Sequence, residues 1–276
     1  MCHPQFASTQ TGLLHHAQSE RLTRHTHREA FAAVILRGGY LETGDRGRIN
    51  VVPGDVVLHG PYESHQDHVA ASGADVLIIP WLEESFGSPL GAISDPDQLA
   101  RLAERDMRGA ARMLAEEVSI KALPSMDWPD MLARDLWDCP GVELGKWAET
   151  TGIRPETVSR GFRRAFGVSP QSFRARVRLL RALSRIRRGE KLVELAAECG
   201  FADQAHLSRH FRTLTGETPR AWRSQSTSRI GAEPGAHSEP LLHSRWQHAN
   251  NLPRQEPEGQ DFTGCGKTQL SRSTCL

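Results

Sequence analysis

The sequence predicts an α+β protein of two domains, an N-terminal antiparallel β-barrel with a helical pair and a C-terminal all-α domain built from a tandem helix-turn-helix. Three observations carry this. Residues 142–223 write one pattern twice, residues 22–80 break into short apolar runs between turn residues, and charge divides sharply between the two halves. The expected segments are an N-terminal arm (1–21), the barrel (22–94), a helical connector or dimerisation segment (95–140), the tandem domain (141–224) and a disordered tail (225–276).

The barrel is read from the runs AAVIL, INVV, DVVL and ADVLIIP, which glycine, proline and aspartate separate. That is the composition of short strands in a compact antiparallel domain. Six or more such strands close into a small barrel or jelly roll with room for a ligand. His25, His27, His65 and His68 fall among them. The expectation is that His25, His27 and His65 line an effector pocket. No cofactor is required, but three imidazoles also suit zinc or a similar divalent metal, so that alternative stays open.

From Asp95 to Asp138 the period turns helical. Leu99, Leu102, Ala103, Ala110, Leu114 and Val118 form an apolar stripe opposite Arg101, Glu104, Arg105, Arg108 and Arg112. A second helix is expected from near Trp128 and Pro129 to just before Pro140, with Leu132 and Leu136 turned inward. Such faces meet either their own domain's core or a second copy of the chain.

In the tandem domain Ser159, Arg160 and Phe162 recur as Ser208, Arg209 and Phe211, and Gly167, Pro170 and Phe173 recur as Gly216, Pro219 and Trp222, each 49 positions on. Ala148/Ala196 and Gly152/Gly200 are 48 apart, so the second copy has one extra residue in or after its turn. Gly152 suits a left-handed helix end, Pro155 a first helical turn and Asp203 an N-cap. Val158, Phe162, Ala165 and Phe166 share one face, as do Leu207, Phe211 and Leu214. The opposite faces carry Glu156, Ser159, Arg160 and Arg163, then Gln204, His206, Ser208, Arg209 and Arg212. Those are hydrogen-bonding groups suited to base edges and phosphates. Between the copies, Gln171 to Arg188 reads as one basic helix with Phe173, Val177, Leu180, Leu183 and Ile186 on its buried stripe. Eighteen residues span about 27 Å, close to the ~34 Å of one DNA turn.

Charge points to the same partner. Residues 141–224 hold 17 Lys and Arg against 8 Asp and Glu, whereas residues 1–140 hold 12 against 20. A basic domain beside an acidic one is what contact with double-stranded DNA requires. Five cysteines without Cys-x-x-Cys spacing suggest neither a disulfide framework nor a zinc finger. No run is long and apolar enough for a membrane span, and the first thirty residues lack a secretory core, so a cytoplasmic location is expected. In the tail, CGKTQ fails as a phosphate loop because its first glycine would fall at Asp261.

The stretches VSRGFRRAFGVSPQSF and CGFADQAHLSRHFRTLTGETPRAWR resemble the tandem helix-turn-helix domain of the AraC/XylS family of bacterial transcription regulators. The resemblance covers residues 141–224, almost a third of the chain. It implies a sequence-specific, non-enzymatic DNA-binding regulator under a small-molecule effector, with RNA polymerase and a second copy of the chain as further partners. It places Glu156, Ser159, Arg160, Gln204, His206, Ser208 and Arg209 at the bases. Gly161 departs from the family pattern, which has a larger side chain there; it either loosens the first recognition helix or lets the backbone approach a phosphate. HTHRE and PGDVVLHGPYESHQDH resemble the strand motifs of the cupin barrel, in which histidines converge on a metal. The glutamate of that pattern is missing, since Phe31 and Ala32 occupy its place and Glu29 comes too early. Two competing readings remain: a metal-cupin enzyme with a basic appendage, and a regulator whose barrel only dimerises.

Overall fold

The computed structural model describes residues 6–81, 88–124, 127–139 and 141–230. The N-terminal half is one eight-stranded antiparallel sheet: β1 (Gly12–His16), β2 (Arg21–Thr26), β3 (Phe31–Gly44), β4 (Gly47–Val51), β5 (Asp55–His59), β6 (Ser64–Pro80), β7 (Leu90–Ala92) and β8 (Ser119–Ile120). Its spine is the long β3–β6 pair, in register from Phe31 opposite Pro80 to Gly44 opposite His65. The spine kinks at irregularities between Ile35 and Arg37 and between Gly38 and Tyr40. There Gly38 sits at φ +66°, and a Cβ on it would lie 1.9 Å from the Gly73 carbonyl oxygen. Only glycine lets the two strands cross so closely.

Beyond the kink the partners change. One half of the spine pairs with β2 and β4, the other with β1 and β5, and β7 and β8 extend the β5 side. Bulged strands bend and twist, so the sheet rolls over itself. Among the described residues no pairing closes the roll into a continuous barrel. The expected arm also contributes a strand, because β1 pairs with β6 from Gly12 to His16.

AAVIL shows no alternation for a physical reason. Ala32 and Val34 face a core shared with Leu58, Leu77 and Ile79, while Phe31, Ala33 and Ile35 face the inside of the roll with Val57, Val76 and Ile78. A strand covered on both faces reads as a continuous apolar run.

The cover on the outer face is helical. The stripe expected to form one helix is broken into α1 (Pro96–Ala103) and α2 (Met107–Glu117), each started by an aspartate N-cap, Asp95 accepting from Gln98 N and Asp106 from Gly109 N. Leu99, Ala103, Ala110 and Leu114 pack on Ala32, Val34, Leu77 and Ile79. Their apolar face is thus used up by their own domain. The next helix, α3 (Trp128–Asp138), belongs elsewhere: Leu132, Ala133 and Leu136 join the core of the following domain.

That domain contains α4 (Leu144–Thr151), α5 (Pro155–Phe166), α6 (Pro170–Arg187), α7 (Leu192–Glu198), α8 (Gln204–Thr215) and α9 (Pro219–Ile230). Phe162, Phe166 and Phe173 interlock in the first unit, and Leu207, Phe211 and Leu214 fill the second. Truncating one of these fully buried phenylalanines would cost ~3–5 kcal/mol. α6 serves both cores, offering Phe173 and Val177 to the first and Leu179, Ala182, Leu183 and Ile186 to the second, whereas Leu180 is only half-buried. α9 runs past the expected boundary to Ile230; the rest of the expected tail, residues 231–276, lies outside the described residues. No helix of the described residues is long and apolar enough to cross a membrane.

Candidate nucleic-acid interface and ligand pocket

Each helix-turn-helix unit is set by the same turn chemistry. Gly152 ends α4 at φ +69°, and Ile153 N donates to Ala148 O at 3.0 Å. Gly200 follows α7 at φ +74°, and Phe201 N donates to Ala196 O at 2.8 Å. These are glycine-closed helix ends that turn the chain sharply. The extra residue of the second copy lies in this turn, since α5 starts three residues after Gly152 and α8 four after Gly200. Pro155 stands in the first turn of α5, and Asp203 caps α8 by accepting from His206 N at 2.6 Å.

Burial of Val158, Phe162 and Phe166 leaves Glu156, Ser159, Arg160 and Arg163 exposed on α5. Burial of Leu207, Phe211 and Leu214 leaves Gln204, Arg209 and Arg212 exposed on α8. His206 and Ser208 are half-buried. His206 is partly engaged at home, packing edge-on to Phe201 and His210 and accepting a long 3.4 Å contact from Ala202 N.

Gly161 has a different role from the two expected of it. A Cβ there would stand 2.4 Å from Trp128 Cζ2 and 2.7 Å from Cη2. The missing side chain makes room for the indole at the start of α3. Trp128 is in turn 6.3 Å from the Trp147 ring, whose Nε1 donates to Asp135 Oδ2 at 2.7 Å.

Inside the roll, His25, His27, His59 and His65 meet. Ring centroids lie 4.3 Å apart for His25 and His65, 4.8 Å for His25 and His27 and 4.6 Å for His59 and His65. They line a cavity of about 190 Å³ with Leu14, Phe31, Tyr40, Asp67 and Val76. The three expected histidines are therefore brought together. His68, one position past Asp67 on an alternating strand, is exposed on the other face.

Two further partners were not among the expected ligands, although His59 stands within PGDVVLHGPYESHQDH. His59 ends β5 and stacks on Phe31 at 4.3 Å, and Glu42 projects from β3 with its Oε2 3.3 Å from His59 Nε2 and 3.7 Å from His65 Nδ1. Glu42 lies 15 residues after His27, but the β3–β6 register sets it beside Asp67 and His65. The signal for it is that register, which motif spacing does not contain.

Burial dominates the electrostatics. It pushes the Glu42 carboxyl up to about 8, and it lowers His25 and His59 and takes His27 down to about 3, the other imidazoles adding to the effect on His25 and His27. Asp67 moves the other way: against its own burial, the charge and hydrogen bond of His65 hold it below the usual carboxylate value.

The two halves meet through β2 and the β3–β4 turn. Asp45, buried in that turn, accepts from Arg24 Nη2 and from Arg176 Nε, both at 2.5 Å, and from Ser64 N at 2.7 Å. Arg24 also reaches Phe166 O, the last carbonyl of α5, at 3.4 Å, and Arg176 reaches Tyr62 O and Thr26 Oγ1. Arg48 of β4 grips Asp130 of α3 with two hydrogen bonds of 2.9 and 2.7 Å. Tyr62 packs edge-on to Trp222 at 5.4 Å.

Residues 147–225 match a family described as a helix-turn-helix domain. Over 89 residues the chain is 32% identical to the HTH-type transcriptional activator RhaS of Pectobacterium carotovorum subsp. carotovorum, which covers 32% of each protein. Over 129 residues it is 30% identical to the HTH-type transcriptional regulator RipA of Corynebacterium glutamicum, covering 46% of this chain and 38% of that one. The family match lies in the tandem helix-turn-helix region of the chain. The chain spans about a third of the length of the RhaS proteins it matches. The likeness resides in the DNA-binding domain of transcription regulators, and the relatives are regulators rather than enzymes. Among solved structures, an AraC-type transcriptional regulator from Chromobacterium violaceum is 26% identical, the match covering 34% of this chain and 80% of that one, with a TM-score of 0.30.

Proposed function

We propose that this protein is a sequence-specific promoter reader whose DNA affinity is set by a small molecule bound in the histidine-lined cavity. α5 and α8 read two successive major-groove segments. Glu156, Ser159, Arg160, Gln204, His206, Ser208 and Arg209 reach bases, and Arg163 and Arg212 add phosphate contact. The observation that carries the DNA reading is the doubled helix with phenylalanine buried and arginine exposed, both copies mounted on the shared α6. Side chains locked to one scaffold helix lose little freedom on binding, which favours a fixed spacing between half-sites.

Effector control is supported by the alternation of β2. His25 lines the cavity, whereas its neighbours Arg24 and Thr26 contact Asp45, Phe166 and Arg176. A ligand that shifts this strand acts on both faces at once. It changes DNA affinity only to the extent that it binds one arrangement more tightly than the other. RNA polymerase and a second copy of the chain are the further partners of this reading.

The test is selection of bound duplexes from a random pool near physiological salt, where nonspecific phosphate contact is already weakened. Two short conserved blocks about 10 base pairs apart are expected. A pool without consensus, with and without candidate metabolites, would overturn the reading.

A further inference from the structure

We propose that the roll holds one divalent transition-metal ion on the Nε2 atoms of His25, His27 and His65, with the Glu42 carboxylate as a further ligand. This rests on side-chain geometry alone, so it stands or falls independently of the DNA reading.

The first argument is tautomeric. His25 Nδ1 donates to the Thr23 carbonyl at 2.8 Å, and His65 Nδ1 donates to Asp67 Oδ1 at 3.2 Å. Both partners only accept, so in the neutral ring the proton sits on Nδ1 and Nε2 keeps the lone pair that a metal takes. His27 Nδ1 pairs with Thr9 Oγ1 at 3.1 Å, a hydroxyl that accepts as readily as it donates, so with the ring proton on Nδ1 its Nε2 is also open to a ligand. A carbonyl, a hydroxyl and a carboxylate behind three imidazoles are the outer partners that orient metal-ligating histidines.

The second argument is convergence with unmet demand. One donor atom from each of His25, His27 and His65 lies within 4.8 Å of the others, and the same holds for Glu42, His59 and His65. Donors around a tetrahedral ion with bonds of ~2.0–2.2 Å stand about 3.4 Å apart, so side-chain rotations would close the three histidines, and His65, common to both groups, brings Glu42 to their edge. Meanwhile His65 Nε2, His59 Nε2 and Glu42 Oε2 are buried without a hydrogen-bond partner among the described residues. Glu42 and His59 are near enough to attract but misaligned for a hydrogen bond. Three unsatisfied polar atoms around one point are costly in an apolar interior unless something fills it.

The donor set selects the ion. Imidazole nitrogen favours zinc, nickel, copper or iron over magnesium or calcium, which prefer all-oxygen cages. Glu42, deprotonated on binding, replaces the carboxylate that the linear motif lacks.

The experiment is titration of the purified, chelator-stripped full-length chain with Co²⁺, read by its visible absorption and by elemental analysis after dialysis. One ion per chain, with the spectrum of nitrogen and oxygen ligation, is expected. His25→Ala and His27→Ala should each abolish stoichiometric retention, and Asp67→Asn should raise the Kd about 10–100-fold. Circular dichroism and thermal unfolding check that the variants fold. The double variant His206→Ala with His210→Ala removes the paired surface imidazoles on α8 and should retain the ion. Loss of metal in that double variant, full retention in His25→Ala and His27→Ala, or no retained ion in the wild type would each overturn the proposal.

Discussion

Arg176, midway along α6, and Asp45, in the turn between β3 and β4, form an ion pair at 2.5 Å across 131 positions of sequence. The Asp45 side chain is 1% exposed and also receives Arg24, so one carboxylate holds two cations from different halves of the chain. Removing one partner of a buried pair leaves uncompensated charge, which costs ~3–5 kcal/mol. Asp45→Ala should therefore lower stability by that order and split urea unfolding into separate transitions for the roll and the helical domain. One unshifted transition would show that this contact couples nothing.

Gly161→Ala sets two effects against each other. Alanine in a helix interior gains about 1 kcal/mol over glycine. Here its Cβ meets the Trp128 ring at 2.4 Å, and overpacking costs ~1–3 kcal/mol. The expected result in thermal unfolding is net destabilisation of up to ~2 kcal/mol. In a Trp128→Ala background the same substitution should become stabilising, and a double-mutant cycle without that change of sign would refute the steric account.

Arg160→Ala and Arg209→Ala remove exposed side chains from α5 and α8. Each should weaken binding to the selected duplex by ~1–3 kcal/mol if a base contact is lost. Competition against a scrambled duplex reads this out. Stability should stay unchanged within ~0.5 kcal/mol, as for surface sites generally.

Glu42, pushed up to about 8 by burial, makes the metal-free protein pH-sensitive in a defined direction. Between its ordinary value near 4.5 and about 8 the folded state holds a proton that the unfolded state has released. Stability from this group is then complete below the unfolded value and falls as pH rises through the window. Glu42→Gln imitates the protonated carboxyl. In the chelated protein it should gain on wild type steadily from pH 5 to pH 8 in denaturant melts, and parallel curves would show that Glu42 is ionised throughout.

Much of the helical domain was legible because its determinants are local. Gly152, Pro155 and Asp203 act within one turn of helix, and the Phe162 and Phe211 faces follow from a period of 3.6. The β half was legible as strands but not as a shape. The kink at Gly38 depends on Gly73, and the strand from residue 12 depends on β6, more than 50 positions later. The break between α1 and α2 was missed because one apolar stripe runs through both, while Asp106, the cap that starts α2, looks like any other polar residue in the sequence. The expected histidines do meet, but His59 and Glu42 join them through strand pairing, and His206 faces partly inward through its contacts with Phe201 and His210.

By itself the sequence determined the doubled helix-turn-helix, its basic charge and its exposed arginines, because helix ends and helix faces are set by residues three or four positions apart. Only the tertiary structure decided that Gly161 seats Trp128, that Glu42 completes the histidine cluster, and that Asp45 joins the two halves. Those relationships depend on register and packing between distant segments. A strand's own residues say which face is buried, but they do not say which side chain waits across it.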